Sequence, residues 1–113
     1  MGVMTTIDVF GMTAEEYARV MDQLGVETTP APGIYLHVTA RTDFGYRVIE
    51  VWDGEEGFQG FLADRLGPAA EAAGIRREMQ VRIEPLHNLF APRLAELPAL
   101  VPGLPGSPAR RAG

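Results

Sequence analysis

The fold is decided by residues 34–53, which read IYLHVTARTDFGYRVIEVWD. Two runs of alternating side-chain character, 34–41 and 46–53, flank the tetrapeptide TDFG at 42–45. Both runs are rich in β-branched and aromatic residues, which favour strands. Turn residues of this kind between two alternating runs are typical of a β-hairpin, so we predict two antiparallel strands here.

The register of this hairpin decides which side chains meet across it. If Thr42 pairs with Gly45, His37 lies directly opposite Glu50, whereas a shift by two residues places it opposite Trp52. Because strand side chains alternate with a period of two, His37, Glu50 and Trp52 share one face in either register. The same alternation places three further side chains on that face: Tyr35, Tyr46 and Val48.

Strand and helix patterns flank the hairpin on both sides. Residues 3–10 predict a strand, 14–24 a helix, a stretch from residue 55 a second helix, 68–73 a further helical turn, and 78–85 a fourth strand. Thr13 followed by Glu16 is a capping box that starts the first helix. Gly67-Pro68 interrupts the second helix, because proline cannot continue the hydrogen-bond ladder of a helix.

The order β-α-β-β-α-β predicts an α+β, ferredoxin-like fold with an antiparallel four-stranded sheet. Right-handed crossovers place both helices on one face of that sheet. We predict a domain at 1–91 and a tail at 92–113 that is rich in proline and glycine and does not pack as regular structure. Such a tail is either free in solution or wrapped across a partner subunit.

Composition excludes several classes of function. A chain of 113 residues fits one domain. Cysteine is absent, which excludes disulfides, thiolate nucleophiles and Cys-ligated metals, and all ten basic residues are arginine, which excludes lysine Schiff bases. The formal net charge of -5 disfavours nucleic acid as a partner. Without a membrane-length apolar stretch or a signal-peptide pattern, we expect a cytoplasmic protein that binds no membrane.

The sheet face without helices is the surface that we expect to be covered by a second copy of the chain. We assign eight residues to it, four of them polar: Tyr35, His37, Tyr46, Val48, Glu50, Trp52, Arg82 and Glu84. So much aromatic surface favours burial against a partner, and two-fold self-association is the commonest solution. The sequence therefore predicts a homodimer.

The run 47–61, RVIEVWDGEEGFQGF, carries a family resemblance. A strand ending in Trp, an acidic helix start and two aromatic residues three positions apart resemble the dimeric α+β barrel superfamily, in its antibiotic-biosynthesis-monooxygenase-like branch. The resemblance extends over the order of elements from about residue 3 to 90. It implies a ferredoxin-like domain that dimerises as an α+β barrel. It also implies an enzyme, without a cofactor, for a hydrophobic aromatic or polyketide-like molecule.

His37 is the candidate general base, with Glu50 as the carboxylate that orients it, because a carboxylate fixes the imidazole tautomer and raises its basicity. Arg82 is the candidate stabiliser of oxyanion charge. The candidate substrate-binding residues are Tyr35, Tyr46, Trp52, Glu84 and His87. The chemistry expected is oxygenation, cyclisation or isomerisation.

The alternatives use the same residues differently. His37 could hydrogen-bond within a polar dimer seam, and Arg82 with Glu84 could form a structural ion pair. The pair His37 and His87 with a carboxylate has the ligand types of a metal site, and either histidine could ligate haem. The whole protein could then be a non-catalytic ligand-binding or structural homodimer of the same fold.

Overall fold

The computed structural model describes residues 1–25 and 29–101. Its elements are β1 (Val3–Phe10), α1 (Ala14–Leu24), β2 (Ile34–Arg41), β3 (Gly45–Trp52), α2 (Glu55–Phe61), a π-helical turn (Leu62–Leu66), α3 (Gly67–Ala72), β4 (Met79–Pro85) and a 3₁₀ segment (Leu94–Leu100). The order of strands in the sheet is β2-β3-β1-β4, and every pairing is antiparallel. The α+β ferredoxin-like fold is therefore confirmed.

The hairpin closes in the first of the two predicted registers. The Thr42 and Gly45 backbones bond to each other at 2.8 and 3.4 Å, and His37 pairs with Glu50 across the strands. A bulge between Ile34 and Leu36 interrupts the alternation at the start of β2. Tyr35 lies in that bulge and is 75% exposed in the single chain.

Local chemistry accounts for the helix boundaries. Thr13 and Glu16 form the predicted capping box, with reciprocal bonds of 3.1 and 3.0 Å. At its other end α1 stops at Gly25, whose φ of 61° is left-handed backbone that glycine adopts without steric cost. Between α2 and α3 the Gly67 amide donates to the Leu62 carbonyl, which lies five residues back and so opens a π turn.

The core lies between the helices and one face of the sheet. Its buried members are Ile7, Val9, Ala31, Trp52, Phe58 and Phe61. The Trp52 ring is fully buried, with ring centroids 5.8 Å from Phe58 and 5.5 Å from Phe61, both of which belong to α2. These contacts place Trp52 on the helix-covered face.

The assignment of the hairpin aromatics to the helix-free face is therefore wrong. Tyr46, Val48 and Glu50 alternate with the same period as Trp52, so they also face the helices. In the pairing of β4 with β1, Arg82 lies opposite Thr6 and Glu84 opposite Met4. These positions alternate with the positions whose side chains face the helices. Those two charged residues consequently lie on the opposite, helix-free face, away from His37.

The segment after β4 differs in part from the predicted tail. Leu94–Leu100 forms 3₁₀ turns, which the expectation of no regular structure did not include. Together with residues 89–93, it faces Tyr35, Leu36 and Val38 of β2 across a mostly apolar cleft of about 940 Å³. Residues 102–113 of the predicted tail lie outside the described residues.

In the part of the chain that is described, no helix is long and apolar enough to cross a membrane.

Candidate functional site

A chain of three hydrogen-bonded side chains runs across β2 and β3. The Nδ1 atom of His37 lies 2.8 Å from Glu50 Oε2, and the Trp52 indole N–H donates to Glu50 Oε1 at 3.0 Å. The Glu50 side chain is 3% exposed and that of His37 is 29% exposed. An ionised Glu50 can only accept, so Nδ1 carries the proton and the neutral imidazole presents a lone pair at Nε2.

Two hydroxyl groups converge on that lone pair. Thr39 Oγ1 lies 2.9 Å and Tyr17 Oη 3.2 Å from His37 Nε2, and the two oxygens are 3.0 Å apart. Sequence reasoning missed both residues. Thr39 carried a signal, since it lies two positions after His37 on the same strand face. Tyr17 carried none, because its approach depends on how α1 crosses the sheet.

A cavity of about 270 Å³ lies between the sheet and the helices, with these polar groups at one end. Most of its lining is aliphatic or aromatic: Ile7, Val9, Met12, Val20, Met21, Leu24, Val48, Phe61, Leu62, Leu66, Ile75 and Met79. Its polar lining includes Tyr17 from α1 and His37 and Glu50 from the sheet, together with Arg76 and Arg77. An apolar chamber with few convergent polar groups is the usual form of a small-molecule site.

A second cavity of about 290 Å³ reaches the same dyad from the start of β2. Tyr35 lies along it, and it shares His37, Glu50 and Phe61 with the first cavity. His37 and Glu50 therefore form part of the wall between two chambers, and the partly exposed imidazole can exchange protons with solvent.

Not all of the predicted site residues gather here. His37 and Glu50 do, whereas Trp52 lies behind Glu50 in the core. Tyr46 is buried and stacks on Tyr17, with ring centroids 5.0 Å apart and planes 2° from parallel. His87, Arg82 and Glu84 are exposed, His87 after the end of β4 and the other two on the helix-free face.

On the helix-free face, Asp8 forms an ion pair with Arg47. Its buried carboxylate accepts two bonds from the Arg47 guanidinium, at 2.7 and 3.0 Å. That bonding, with the charges of Arg47 and Arg82, holds the pKa of Asp8 below its usual range and raises the pKa of Arg47. Arg47 also lies over the Phe44 ring at 5.5 Å. This pair holds β1 to β3 on the side opposite the cavity.

A second ion pair lies beside the cavity. Arg77, between α3 and β4, donates two bonds of 3.1 Å to Glu16 at the start of α1. The Arg77 guanidinium and the Thr13 amide lower the pKa of Glu16. Because Glu16 precedes Tyr17, this pair fixes the helix turn that carries the Tyr17 hydroxyl.

Within residues 1–25 and 29–101, no group of three or more His, Cys, Asp or Glu side chains is arranged to hold a metal ion. The predicted alternative that joins His37 with His87 and a carboxylate is therefore not assembled among these residues.

Comparisons with known proteins found similarity only at the level of structure. No family model matches the chain. No curated protein matches it in sequence either. Among solved structures, SnoaB from Streptomyces nogalater, a cofactor-independent oxygenase, is 19% identical with a TM-score of 0.56, and the match covers 79% of this chain and 94% of SnoaB.

Two further structures show the same likeness. A candidate antibiotic biosynthesis monooxygenase from Chloroflexus aurantiacus is 17% identical with a TM-score of 0.52, over 78% of this chain and 97% of that one. A dimeric ferredoxin-like protein of unknown function from Thermobifida fusca is 17% identical with a TM-score of 0.52, over 76% and 92%. The chain is similar in fold to antibiotic-biosynthesis-monooxygenase-like proteins. At these identities, the likeness shows the fold alone.

Proposed function

We propose that this protein is a cofactor-independent enzyme of antibiotic-biosynthesis-monooxygenase-like type that removes a proton from a hydrophobic aromatic or polyketide-like molecule. One observation carries the proposal: the Glu50-bound imidazole of His37 lies at the polar end of an apolar cavity of about 270 Å³. A base held by a carboxylate at the edge of an apolar cavity suits general-base chemistry. The similarity to SnoaB in fold supports the same class.

The chemistry follows from the dyad. The imidazole of His37 gains a proton when an acidic C–H or O–H of the bound molecule loses one, and Glu50 stabilises the imidazolium that forms. The electron pair left on the molecule makes it an enolate or phenolate, which can rearrange, cyclise or react with oxygen. Arg82, which was predicted to stabilise that negative charge, lies on the other sheet face, so the proposal assigns it no part in this step.

We also propose that the protein forms a homodimer, joined at the helix-free face. Val38 is 48% exposed there, and Phe90, Leu94 and Leu100 are exposed across the adjoining cleft. Exposed apolar groups in such numbers favour burial against another surface. A second copy is the favoured occupant because a fold neighbour is dimeric. Arg82 and Glu84, on the same face, are placed to form ion pairs between subunits.

A proton-exchange experiment tests the enzymatic proposal. 2-Tetralone, a bicyclic aromatic ketone with an acidic benzylic C–H, is incubated with the protein in heavy water, and deuterium uptake at that carbon is followed by NMR. We expect exchange above the buffer rate, falling about 100-fold or more in His37→Gln, because a positioned base typically contributes 10²–10⁴-fold.

The matched control is His87→Gln, which removes the exposed second histidine and should leave the exchange rate unchanged. Equal rates in the wild type and His37→Gln would rule out the proposed base. Binding of 2-tetralone without any exchange above buffer would instead favour the alternative, a ligand-binding homodimer that does no chemistry.

A further inference from the structure

The hydroxyl of Tyr17 lies 3.2 Å from Nε2 of His37, and both residues line the cavity. We propose that Tyr17 is a catalytic residue: its Oη takes the proton from the bound molecule and passes its own proton to His37 Nε2. The inference rests on the proposed function, because it concerns the same cavity. Beyond the proposed function, the inference names the atom that the bound molecule touches.

The lone pair of the His37 imidazole already has hydrogen-bonding partners. With Nδ1 donating to Glu50, Nε2 has one lone pair, and two hydroxyl oxygens already lie within 2.9 and 3.2 Å of it. His37 lines the cavity, but a molecule there meets an Nε2 lone pair that these two hydroxyls already occupy. Its proton therefore reaches the imidazole through one of the hydroxyls.

Of the two hydroxyls, that of Tyr17 is the one that can meet a molecule in the cavity. Tyr17 lines the apolar cavity, whereas Thr39 does not belong to its lining. A phenol also releases its proton far more readily than an alkyl hydroxyl such as that of threonine. Both geometry and acidity favour Tyr17 as the group that meets the bound molecule, and leave Thr39 to hold Tyr17 Oη and Nε2 in place at 3.0 and 2.9 Å.

The Tyr17 side chain is also held in a fixed position. The Tyr17 ring stacks in parallel on the buried ring of Tyr46, which limits its rotation. The preceding residue, Glu16, is bound by the Thr13 amide and by Arg77. The phenol is thus held in place from two sides, as a proton relay needs, because a misplaced donor loses much of its effect.

The relay balances as a pair of proton transfers. The Tyr17 O–H bond breaks as its proton joins Nε2, and the proton of the bound molecule joins Tyr17 Oη. The molecule keeps the electron pair of its broken O–H or C–H bond and becomes an anion. The imidazolium stays bound to Glu50, and the reverse transfers return a proton to the product.

Tyr17→Phe tests this relay, since phenylalanine keeps the stacked ring and removes only the hydroxyl. The probes are 2-naphthol and naphthalene, which share a ring system and differ by one hydroxyl, and their binding is measured by titration calorimetry. We expect the wild type to prefer 2-naphthol by about 3- to 10-fold, the range of one net hydrogen bond. Tyr17→Phe should lose that preference and keep its affinity for naphthalene.

Thr6→Val is the control for loss of a hydroxyl from the sheet, because Thr6 lies on the helix-free face and does not line the cavity, and it should retain the preference for 2-naphthol. In the deuterium-exchange assay with 2-tetralone, Tyr17→Phe should slow exchange by about 100-fold, close to the effect of His37→Gln. Agreement between the two assays distinguishes a contact with the probe from a structural role of Tyr17.

Three results would overturn the inference. A preference for 2-naphthol that survives in Tyr17→Phe but vanishes in His37→Gln would show that the imidazole meets the probe directly. Equal wild-type affinities for the two probes would remove Tyr17 from the site while leaving the apolar cavity as a binding site. If the wild type bound neither probe, the proposed function would fail, and the relay with it.

Discussion

At the scale of single residues, Trp52 connects the core to the candidate site. Its ring is fully buried against Phe58 and Phe61, while its N–H holds Glu50 Oε1 at 3.0 Å. The residue was predicted as a pocket wall, and the structure instead places it behind the dyad. Its influence on any chemistry would therefore act through the orientation of Glu50.

We predict that Trp52→Ala lowers the free energy of unfolding by about 3–5 kcal/mol, because truncating a buried aromatic ring leaves a cavity in the core. Trp52→Phe should cost less but leave Glu50 Oε1 without its donor. Denaturant unfolding measures both, and Tyr35→Ala is the control. Tyr35 is 75% exposed, so its truncation should change stability by no more than about 0.5 kcal/mol. Similar losses for Trp52→Ala and Tyr35→Ala would contradict this account of the core.

The sequence predicted the contact between His37 and Glu50 but not the hydroxyl cluster around it. A hairpin is local, so turn chemistry and a period of two suffice to bring two strand residues together. The approach of Tyr17 to Nε2 spans 20 residues and depends on the angle at which α1 packs on the sheet. No periodicity in the chain encodes that angle.

At the scale of elements, β1 explains why the hairpin aromatics were assigned to the wrong sheet face. The face is set by which side of β3 packs under the helices, and β3 pairs with β1 through contacts distant in sequence. Ile7 and Val9 face the core while Asp8 faces away, so the alternation of β1 held the missing signal. The residues of the hairpin alone fit either face, since both of its faces contain apolar side chains.

The start of α1 gives a prediction with a definite pH dependence. The pKa of Glu16 is lowered from its ordinary 4.5 by Arg77 and the Thr13 amide. A carboxyl group with a depressed folded-state pKa contributes stability that is fully present above 4.5 and is lost as the pH falls through the folded value. Glu16→Gln should therefore lower the free energy of unfolding by about 0.2–1 kcal/mol at pH 7, as for a part-exposed ion pair.

The same variant should show a weaker loss of stability than the wild type as the pH falls below 4.5, measured by thermal unfolding at a series of pH values. Glu15→Gln is the control, because Glu15 is exposed and the capping-box bonds join Thr13 and Glu16 instead. If the two variants had the same pH profile, the bonds of Glu16 to Arg77 and Thr13 would not contribute to stability in solution.

At the scale of the whole molecule, the two faces of the sheet differ in what they carry. The helix-covered face encloses a cavity lined by residues of one chain, and the dyad lies there. The opposite face carries the Asp8–Arg47 pair, exposed apolar side chains and the cleft beside the 3₁₀ segment. Association at that face would leave the lining of the cavity intact, so assembly and chemistry can be altered independently.

We therefore predict that sedimentation at micromolar concentration gives about twice the chain mass of 12.3 kDa, and that Val38→Glu shifts it towards a single chain. A carboxylate at position 38 would be buried without a partner in the interface, which is costly. Gln59→Glu adds the same charge to the exposed side of α2 and should leave the dimer intact. Because Val38 does not line the cavity, the dissociated variant should still exchange deuterium into 2-tetralone. A wild type that sediments only as a single chain would contradict the dimer, and loss of exchange in Val38→Glu would show that the cavity depends on the partner.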